Sequence, residues 1–184
     1  MKIYTKAGDH GFTSNYLGGK VSKGEVLMEL QGSIDEVNAN VGLLRSKINK
    51  ISDKKDEIDY IDEVLKKIQY NLYEVGSEIA KDFREIIIYE DDIKLLEVNI
   101  DSMVKKMPQL KNFLYYSGTE EATTAQVIRA IVRRAERVFA RLLENSEENL
   151  YPLSYQYINR LSDYFYTLAR YINFLSNVSE DIMM

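Results

Sequence analysis

The stretch IDYIDEVLKKIQYNLYEVGSEI, residues 58–79, carries the clearest structural pattern in the chain. Its apolar side chains recur at alternating steps of three and four, which is the spacing of one face of an α-helix. They are Ile58, Ile61, Leu65, Ile68, Leu72, Val75 and Ile79. Charged residues lie between them, so the pattern predicts a helix that buries one side against other helices.

The same spacing recurs in residues 30–48, 93–104, 128–143 and 158–175, which predicts four more helices. We therefore expect one all-α domain over residues 1–184, folded as a five-helix bundle with an irregular glycine-rich N-terminal arm. The first helix has two alternative starts. It begins either near Glu25 or at Ser33, because Ser33 and Glu36 have the spacing of a capping box.

The third helix is expected from about Asp91 to Lys106, because Pro108 cannot continue it. Its inward side chains are predicted to be Ile93, Leu96, Ile100 and Val104. The fourth helix is expected from roughly Glu121 to Asn145, before the acidic loop NSEENLYP.

Two connecting segments have an ambiguous pattern. FREIIIYE, from Phe83 to Glu90, fits either the end of a helix or a short extended link. LKNFLYYSGT, from Leu110 to Thr119, is aromatic and is broken by Ser117-Gly118, which predicts a non-helical segment. It is either a ligand platform or a buried connector.

The N-terminal arm, residues 1–24, holds five of the nine glycines and lacks an apolar stripe. Its centre is TKAGDHGFTS, from Thr5 to Ser14. Glycine lets backbone N–H groups approach a ligand closely, and hydroxyls with a lysine complete a phosphate cradle. The spacing of a Walker A loop is absent, and taken alone the segment favours a turn-rich tail.

The stretch IRAIVRRAERVFARLL, from Ile128 to Leu143, places arginines on one helix face at four-residue spacing. They are Arg129, Arg133, Arg137 and Arg141, flanked by Arg134, with Glu136 as the only acid. Each like-charged pair costs roughly 0.2–0.5 kcal/mol, and the planar guanidinium suits phosphate oxygens. The face therefore binds an anion such as polyphosphate, or it pairs with acids elsewhere, since 29 acids face 24 bases in the chain.

Composition excludes several classes of protein and site. A net charge of −5 argues against a general nucleic-acid or membrane-surface binder. The absence of cysteine and the single histidine, His10, exclude a thiolate nucleophile and a multi-histidine metal site within one chain. No apolar run reaches membrane-spanning length and no signal pattern opens the chain, so we expect a cytoplasmic protein.

Three motifs together carry a family resemblance. They are IYTKAGDHGFTS at residues 3–14, GSIDEVNANVG at residues 32–42, and the pair RAIVRRAER at 129–137 with YINRLSDYFYTLARY at 157–171. In this order they resemble the PduO-type ATP:cob(I)alamin adenosyltransferases. The resemblance implies transfer of the adenosyl group of ATP to the cobalt of cob(I)alamin, with Mg²⁺ and release of triphosphate. The nucleophile is then Co(I) itself, so no nucleophilic side chain is required.

The resemblance also implies roles for individual residues. Arg129, Arg133 and Asp35 are implied as catalytic, with Asp35 paired to Arg129. Phe113 and Asp163 are implied on the cobalamin side, although Asp163 also suits a structural ion pair. Phe113 would crowd the lower face of the corrin and favour a four-coordinate cobalt. The residues implied around ATP are Thr5, Lys6, Ala7, Gly8, Thr13, Ser14, Lys23, Arg133, Arg134, Glu136, Arg137 and Asn159, with Glu136 orienting the arginines and Mg²⁺ bridging phosphate oxygens.

The family is trimeric, which implies that the arm of one chain closes over the arginine helix of its neighbour. A reductase and an adenosylcobalamin-dependent mutase are implied as further partners. The chain departs from the family pattern at Tyr116-Ser117-Gly118-Thr119, where a proline and glycine are usual, and at Gln126, where a histidine is common. The residues themselves leave two alternatives: a nucleotide-binding regulator without chemistry, and a scaffold whose arginines pair internally.

Overall fold

Five α-helices form the protein, and a computed structural model describes them over residues 2–51, 53–144 and 151–183. They are α1 (Val26–Ile48), α2 (Lys55–Ala80), α3 (Glu90–Lys106), α4 (Glu120–Glu144) and α5 (Leu153–Leu175). The predicted all-α bundle is confirmed. None of these helices, within the described residues, is both long and apolar enough to cross a membrane.

The helices pack in the order α2, α1, α4, α5, α3, with α1 between α2 and α4. Every residue of the predicted α2 stripe is buried, as is the α1 stripe from Leu30 to Ile48. On α3 the prediction fails at one position, because Val104 is half exposed and its neighbour Met103 turns inward. The α4 face from Ile128 to Phe139 lies in the core, so the opposite, arginine-bearing face of that helix points outward.

The helix ends decide between the alternatives left by the sequence. Helix α1 begins at Val26, and Ser33 lies inside it, donating its hydroxyl to the carbonyl of Glu29 at 2.8 Å. The segment before α3 is a non-helical link, because the buried carboxylate of Glu78 accepts the N–H groups of Ile87 and Ile88 at 2.6 and 2.7 Å. The predicted end of the fourth helix at Asn145 and most of the acidic loop lie outside the described residues.

The arm contains regular structure, contrary to the prediction. Strands β1 (Phe12–Ser14) and β2 (Lys20–Ser22) form an antiparallel hairpin with Thr13 opposite Val21. Asn15 closes the turn by accepting the N–H of Gly19 at 2.7 Å, while Gly18 adopts a φ of +81° that favours glycine. No side chain of residues 2–25 is buried, so the arm lies outside the core of its own chain.

Candidate functional site

The antiparallel packing of α4 on α1 divides the arginines into two groups. Arg134 pairs with Glu36, and the Nη2 atom of Arg141 lies 2.6 Å from the Oε2 atom of Glu29. All four side chains remain about half exposed. For these two arginines, the second alternative from the sequence analysis is correct: acids of a neighbouring helix pair with them.

Arg133 and Arg137 form the second group, and both are exposed on the outer face of α4. Arg137 donates Nη1 to the backbone carbonyl of Arg133 at 2.8 Å. Neither guanidinium forms an ion pair with an acid among the residues that the structure describes. Among the described residues, no acid compensates their positive charge, which is therefore available to an anion.

Arg129 lies further along the same face and is half-buried. Its Nη1 atom donates to the hydroxyl of Tyr116 at 3.0 Å. Its guanidinium carbon lies 5.5 Å from the ring centroid of Tyr116 and 5.3 Å from that of Tyr166. Aromatic rings attract a guanidinium at these distances without neutralising it.

Glu136 and Asn159 join α4 to α5. The amide of Asn159 donates to Glu136 Oε1 at 2.6 Å, which brings two residues of the predicted ATP site together. Glu136 was predicted to orient the arginines, but it forms no ion pair with an arginine in the described part of the chain. The partner of its carboxylate is Asn159 on the adjacent helix.

Asp35 does not pair with Arg129 within the chain. It is exposed in a groove between α1 and α2, beside Tyr16 and Tyr73. Successive helical residues point about 100° apart, so Glu36 faces α4 while Asp35 faces α2. The predicted pair is therefore not formed between the two residues of one chain, and it stays a prediction for residues of different chains.

The arm gathers several predicted phosphate ligands, but it lies away from the arginines. A Cβ atom added to Gly8 would stand 2.7 Å from Lys23 Nζ, so only glycine lets this lysine approach so closely. Thr13 and Ser14 lie on β1, and the hydroxyl of Thr5 accepts the N–H of Ala7 at 3.4 Å.

Lys6 adopts a positive φ of 62° in the same segment. No hydrogen bond or ion pair of the described residues joins this arm to α4. Tyr16, between the two strands of the hairpin, stands near Lys81, which follows α2. Within the described part of one chain, the two halves of the predicted ATP site are therefore not in polar contact.

Phe113 lies on the predicted non-helical segment and is 85% exposed. Its carbonyl accepts the N–H of Met183 at 2.9 Å, and Leu114 forms a β-bridge with Ile182. Asp163 accepts a hydrogen bond from Arg160 at 3.0 Å, which is the structural ion pair that the sequence left as an alternative.

Several residues around this segment were missed from the sequence. Tyr116, Tyr166, Asn173 and the C-terminal tail 178–183 come together only through tertiary packing. The one local signal was the unusual Tyr116-Ser117-Gly118 sequence. Within the described residues, no group of three or more histidine, cysteine or acidic side chains is placed to hold a metal ion.

A family model described as cobalamin adenosyltransferase matches residues 3–172. The chain is 34% identical to the corrinoid adenosyltransferase of Bacillus subtilis (strain 168), over 98% of this chain and 91% of that protein. It is 33% identical to the human corrinoid adenosyltransferase MMAB, over 100% of this chain and 73% of the human protein.

A solved structure shares the fold. It is a variant of the PduO-type ATP:corrinoid adenosyltransferase from Lactobacillus reuteri complexed with cobalamin and ATP, with a TM-score of 0.87 and 31% identity. The match covers 99% of this chain and 96% of that chain. Sequence motifs, five-helix fold and family model agree: the chain belongs to the cobalamin adenosyltransferase family.

Proposed function

We propose that this protein transfers the 5′-deoxyadenosyl group of ATP to the cobalt of cob(I)alamin and releases triphosphate. The observation that carries the proposal is that Arg133 and Arg137, on the outer face of α4, form no ion pair among the described residues. The chain that carries them matches corrinoid adenosyltransferases over nearly its full length. Residues 1–184 would act as one domain, with residues 1–24 as its ATP-binding arm.

The reaction is a nucleophilic displacement at the ribose 5′ carbon. The electron pair of Co(I) forms the cobalt–carbon bond, and the bond from that carbon to the triphosphate oxygen breaks, so its electron pair leaves with triphosphate. No proton has to move at the reacting carbon. The work left to the protein is to align the two substrates and to stabilise the negative charge that develops on the leaving group.

Arg133 and Arg137 are suited to that second task because neither is paired with an acid among the described residues. Arg129 adds a third positive charge on the same face. Arg134 would contribute after exchanging Glu36 for a phosphate oxygen, and the Glu136–Asn159 pair would contact the nucleotide. Charge-assisted hydrogen bonds of this kind are the strong ones in proteins.

The arm would supply the opposite side of the ATP site from a neighbouring subunit of a homotrimer. Two observations support this arrangement: no hydrogen bond or ion pair among the described residues joins the arm to α4, and the arm brings Lys23 Nζ close to Gly8, near Lys6. The same arrangement would bring Asp35 of one chain to Arg129 of the next. This arrangement would explain why Asp35 and Arg129 do not pair within one chain.

Magnesium would enter this site with the nucleotide, because Mg²⁺ is usually held by substrate phosphates together with one or two carboxylates. Bound there, Mg²⁺ would neutralise charge on the triphosphate, while the arginines hold its other oxygens.

The cobalamin side would be formed by Phe113, whose side chain is 85% exposed. Asp163, tied to Arg160, would contribute from α5. A cytoplasmic location, with a reductase and an adenosylcobalamin-dependent mutase as partners, completes the proposal.

The direct test is an assay of chemically reduced cobalamin with ATP and Mg²⁺, following both adenosylcobalamin and triphosphate. We expect equimolar formation of the two products. ATP binding without conversion would favour the regulatory alternative, and absence of ATP binding would favour the scaffold.

Subunit mixing tests the shared site. One variant lacks residues 2–24, the other carries Arg133→Ala, and each alone should be far less active than wild type at ATP concentrations below KM. When they assemble randomly, about a quarter of the sites combine an intact arm with an intact Arg133 from different chains. Recovered activity is expected; no recovery after verified mixed assembly would place both halves in one chain. Chains carrying both changes are the matched control.

Phe113→Ala tests the cobalamin side. Adenosylation of intact cobalamin should fall more than that of an analogue lacking the lower axial base. Equal losses with the two substrates would argue against a role of Phe113 at the corrin.

A further inference from the structure

The connector between α3 and α4 is attached at both ends to the last turns of α5. Near its start, the carbonyl of Pro108 accepts a hydrogen bond from Nη2 of Arg170 at 3.4 Å. Near its end, the amide of Asn173 donates to the carbonyl of Ser117 and accepts the N–H of Thr119, both at 3.0 Å. The aromatic side chain proposed at the corrin lies between these two attachments.

The middle of the connector pairs with the C-terminal tail, residues 178–183. The N–H of Met183 donates to the carbonyl of Phe113 at 2.9 Å. The N–H of Tyr115 donates to the carbonyl of Asp181 at the same distance. These two hydrogen bonds fix the backbone at Phe113, although its side chain is 85% exposed.

One ion pair holds the tail against α5. Arg170 donates Nε to Oε1 of Glu180 at 2.6 Å and Nη2 to Oε2 at 3.0 Å, which is the bidentate geometry of strong charge-assisted hydrogen bonds. The two side chains are only 10% and 27% exposed, so the pair is largely shielded from water. Because Nη2 also reaches the carbonyl of Pro108, a single guanidinium joins α5, the tail and the connector.

An exposed ring on a fixed backbone is suited to binding. A flexible loop loses conformational freedom when its side chain packs against a ligand, and this loss reduces affinity. Phe113 avoids most of that loss because the tail already holds its backbone. A ring at a fixed position also excludes an axial base from one face of a corrin more completely than a mobile ring.

We propose that Arg170 and Glu180 are positioning residues, which hold Phe113 against the lower face of the corrin through the tail. The inference rests on the proposed function, because it assumes that Phe113 meets the corrin. Neither Arg170 nor Glu180 has to contact a substrate. Loss of their pair should therefore resemble partial loss of the Phe113 ring, with weaker adenosylation of intact cobalamin and unchanged ATP affinity.

Two measurements report the position of the ring. The first is the ratio of kcat/KM for intact cobalamin to kcat/KM for an analogue lacking the lower axial base. The second is the four-coordinate fraction of bound cob(II)alamin, measured from its electron paramagnetic resonance spectrum. A change in stability alone would lower both kcat/KM values together and leave their ratio unchanged.

The first test removes the hydrogen bond between the tail and Phe113. Met183→Pro lacks the N–H that donates to the carbonyl of Phe113, whereas Met183→Ala keeps it and is the matched control. Loss of one hydrogen bond in Met183→Pro should lower the ratio roughly threefold to tenfold and reduce the four-coordinate fraction. Met183→Ala should keep the ratio within about twofold of wild type.

The second test weakens the ion pair. Glu180→Gln keeps the length of the side chain and removes its charge. Asp62→Asn is the matched control, because Asp62 also accepts two guanidinium N–H groups, from Arg45 at 2.8 Å, and joins α1 to α2, away from the connector. Both substitutions should lower stability, but only Glu180→Gln should lower the ratio, again by about threefold to tenfold. Calorimetry should give ATP affinities within about twofold of wild type for both.

Combination with Phe113→Ala separates this inference from the proposed function. In that background neither Met183→Pro nor Glu180→Gln should lower the ratio further. The positioning role alone is wrong if either variant leaves the ratio at the wild-type value, if either lowers it equally with and without Phe113, or if the control variants lower it as much. If wild type converts neither corrinoid, the proposed function is wrong, and the positioning role is wrong with it.

Discussion

Arg141 of α4 contacts Glu29 of α1 at 2.6 Å, and the next pair along the two helices is Arg134 with Glu36. In both helices the paired residues are seven positions apart, which is about two turns, and the order is reversed between them. Lys47 and Glu120 continue the series at the far end. These pairs fit the antiparallel register of α1 and α4 and leave Arg133 and Arg137 on the other side.

Arg133→Ala should lower kcat/KM for ATP by about tenfold to a hundredfold, since each charge-assisted hydrogen bond contributes roughly 1.5–3 kcal/mol. The melting temperature should not change, because the side chain has no partner within the described chain. Steady-state kinetics with ATP as the varied substrate would measure the loss. Arg84→Ala is the control: Arg84 is exposed, and its one ion pair within the described residues is with Asp82, at 3.9 Å.

Leu44→Ala should destabilise the bundle by about 2–5 kcal/mol, because Leu44 is fully buried and its loss leaves a cavity. Leu43→Ala should cost much less, since the neighbouring Leu43 is 49% exposed. Denaturant unfolding of the two variants at equal subunit concentration would compare them. Equal costs would mean that Leu43 is buried in the assembled protein.

Asp62→Asn should reduce the free energy of unfolding at neutral pH by about 1–2 kcal/mol. Arg45 donates Nε and Nη2 to the two carboxylate oxygens of Asp62 at 2.8 Å, and these hydrogen bonds lower the pKa of Asp62. A lowered folded-state pKa stabilises the protein above the unfolded-state pKa near 4, and this contribution is lost as the pH falls through the folded-state value.

The difference between wild type and Asp62→Asn should therefore shrink between about pH 5 and the folded-state pKa of Asp62. Denaturant titrations at several pH values in that window would measure it. If the difference in the free energy of unfolding does not depend on pH, the charge of the Asp62 carboxylate does not cause it. Glu85→Gln, at an exposed pair with Lys81, is a control with little expected cost.

Gly118→Ala should destabilise the protein by at least about 1–3 kcal/mol, because alanine is strained at a φ of +113° and its Cβ would meet Asn173. Ser117→Ala is the matched control, since Asn173 contacts only the backbone carbonyl of Ser117. Thermal unfolding of both variants would compare them. A neutral Gly118→Ala would mean that the turn has a different backbone conformation in solution.

The helices could be predicted because the apolar spacing and the stop signals that define them lie within each helical segment of the sequence. Apolar spacing placed the third helix within one residue at its start, and Pro108 gave its end. The hairpin was missed because strands of three residues with mostly exposed side chains show no alternation of apolar and polar positions. Turn chemistry at Asn15 and Gly18, not a hydrophobic pattern, forms it.

Prediction of the candidate site also succeeded only where the information is local. Helical spacing predicted the arginine face. It did not predict which arginines pair with acids, because that depends on the rotation of α1 against α4. The sequence pointed to Asp35 as a partner, whereas Glu36, one position later, faces α4. Contacts of Asn173 with Ser117 and Thr119 span more than fifty positions and have no local signal.

Residues 2–25 have no buried side chain, so the arm contributes little to the helical core. If the arm binds the nucleotide as proposed, substitutions in the hairpin and its flanking glycines would change nucleotide affinity with little change in the stability of the five helices. The arm of a relative would then be exchangeable with this one for engineering.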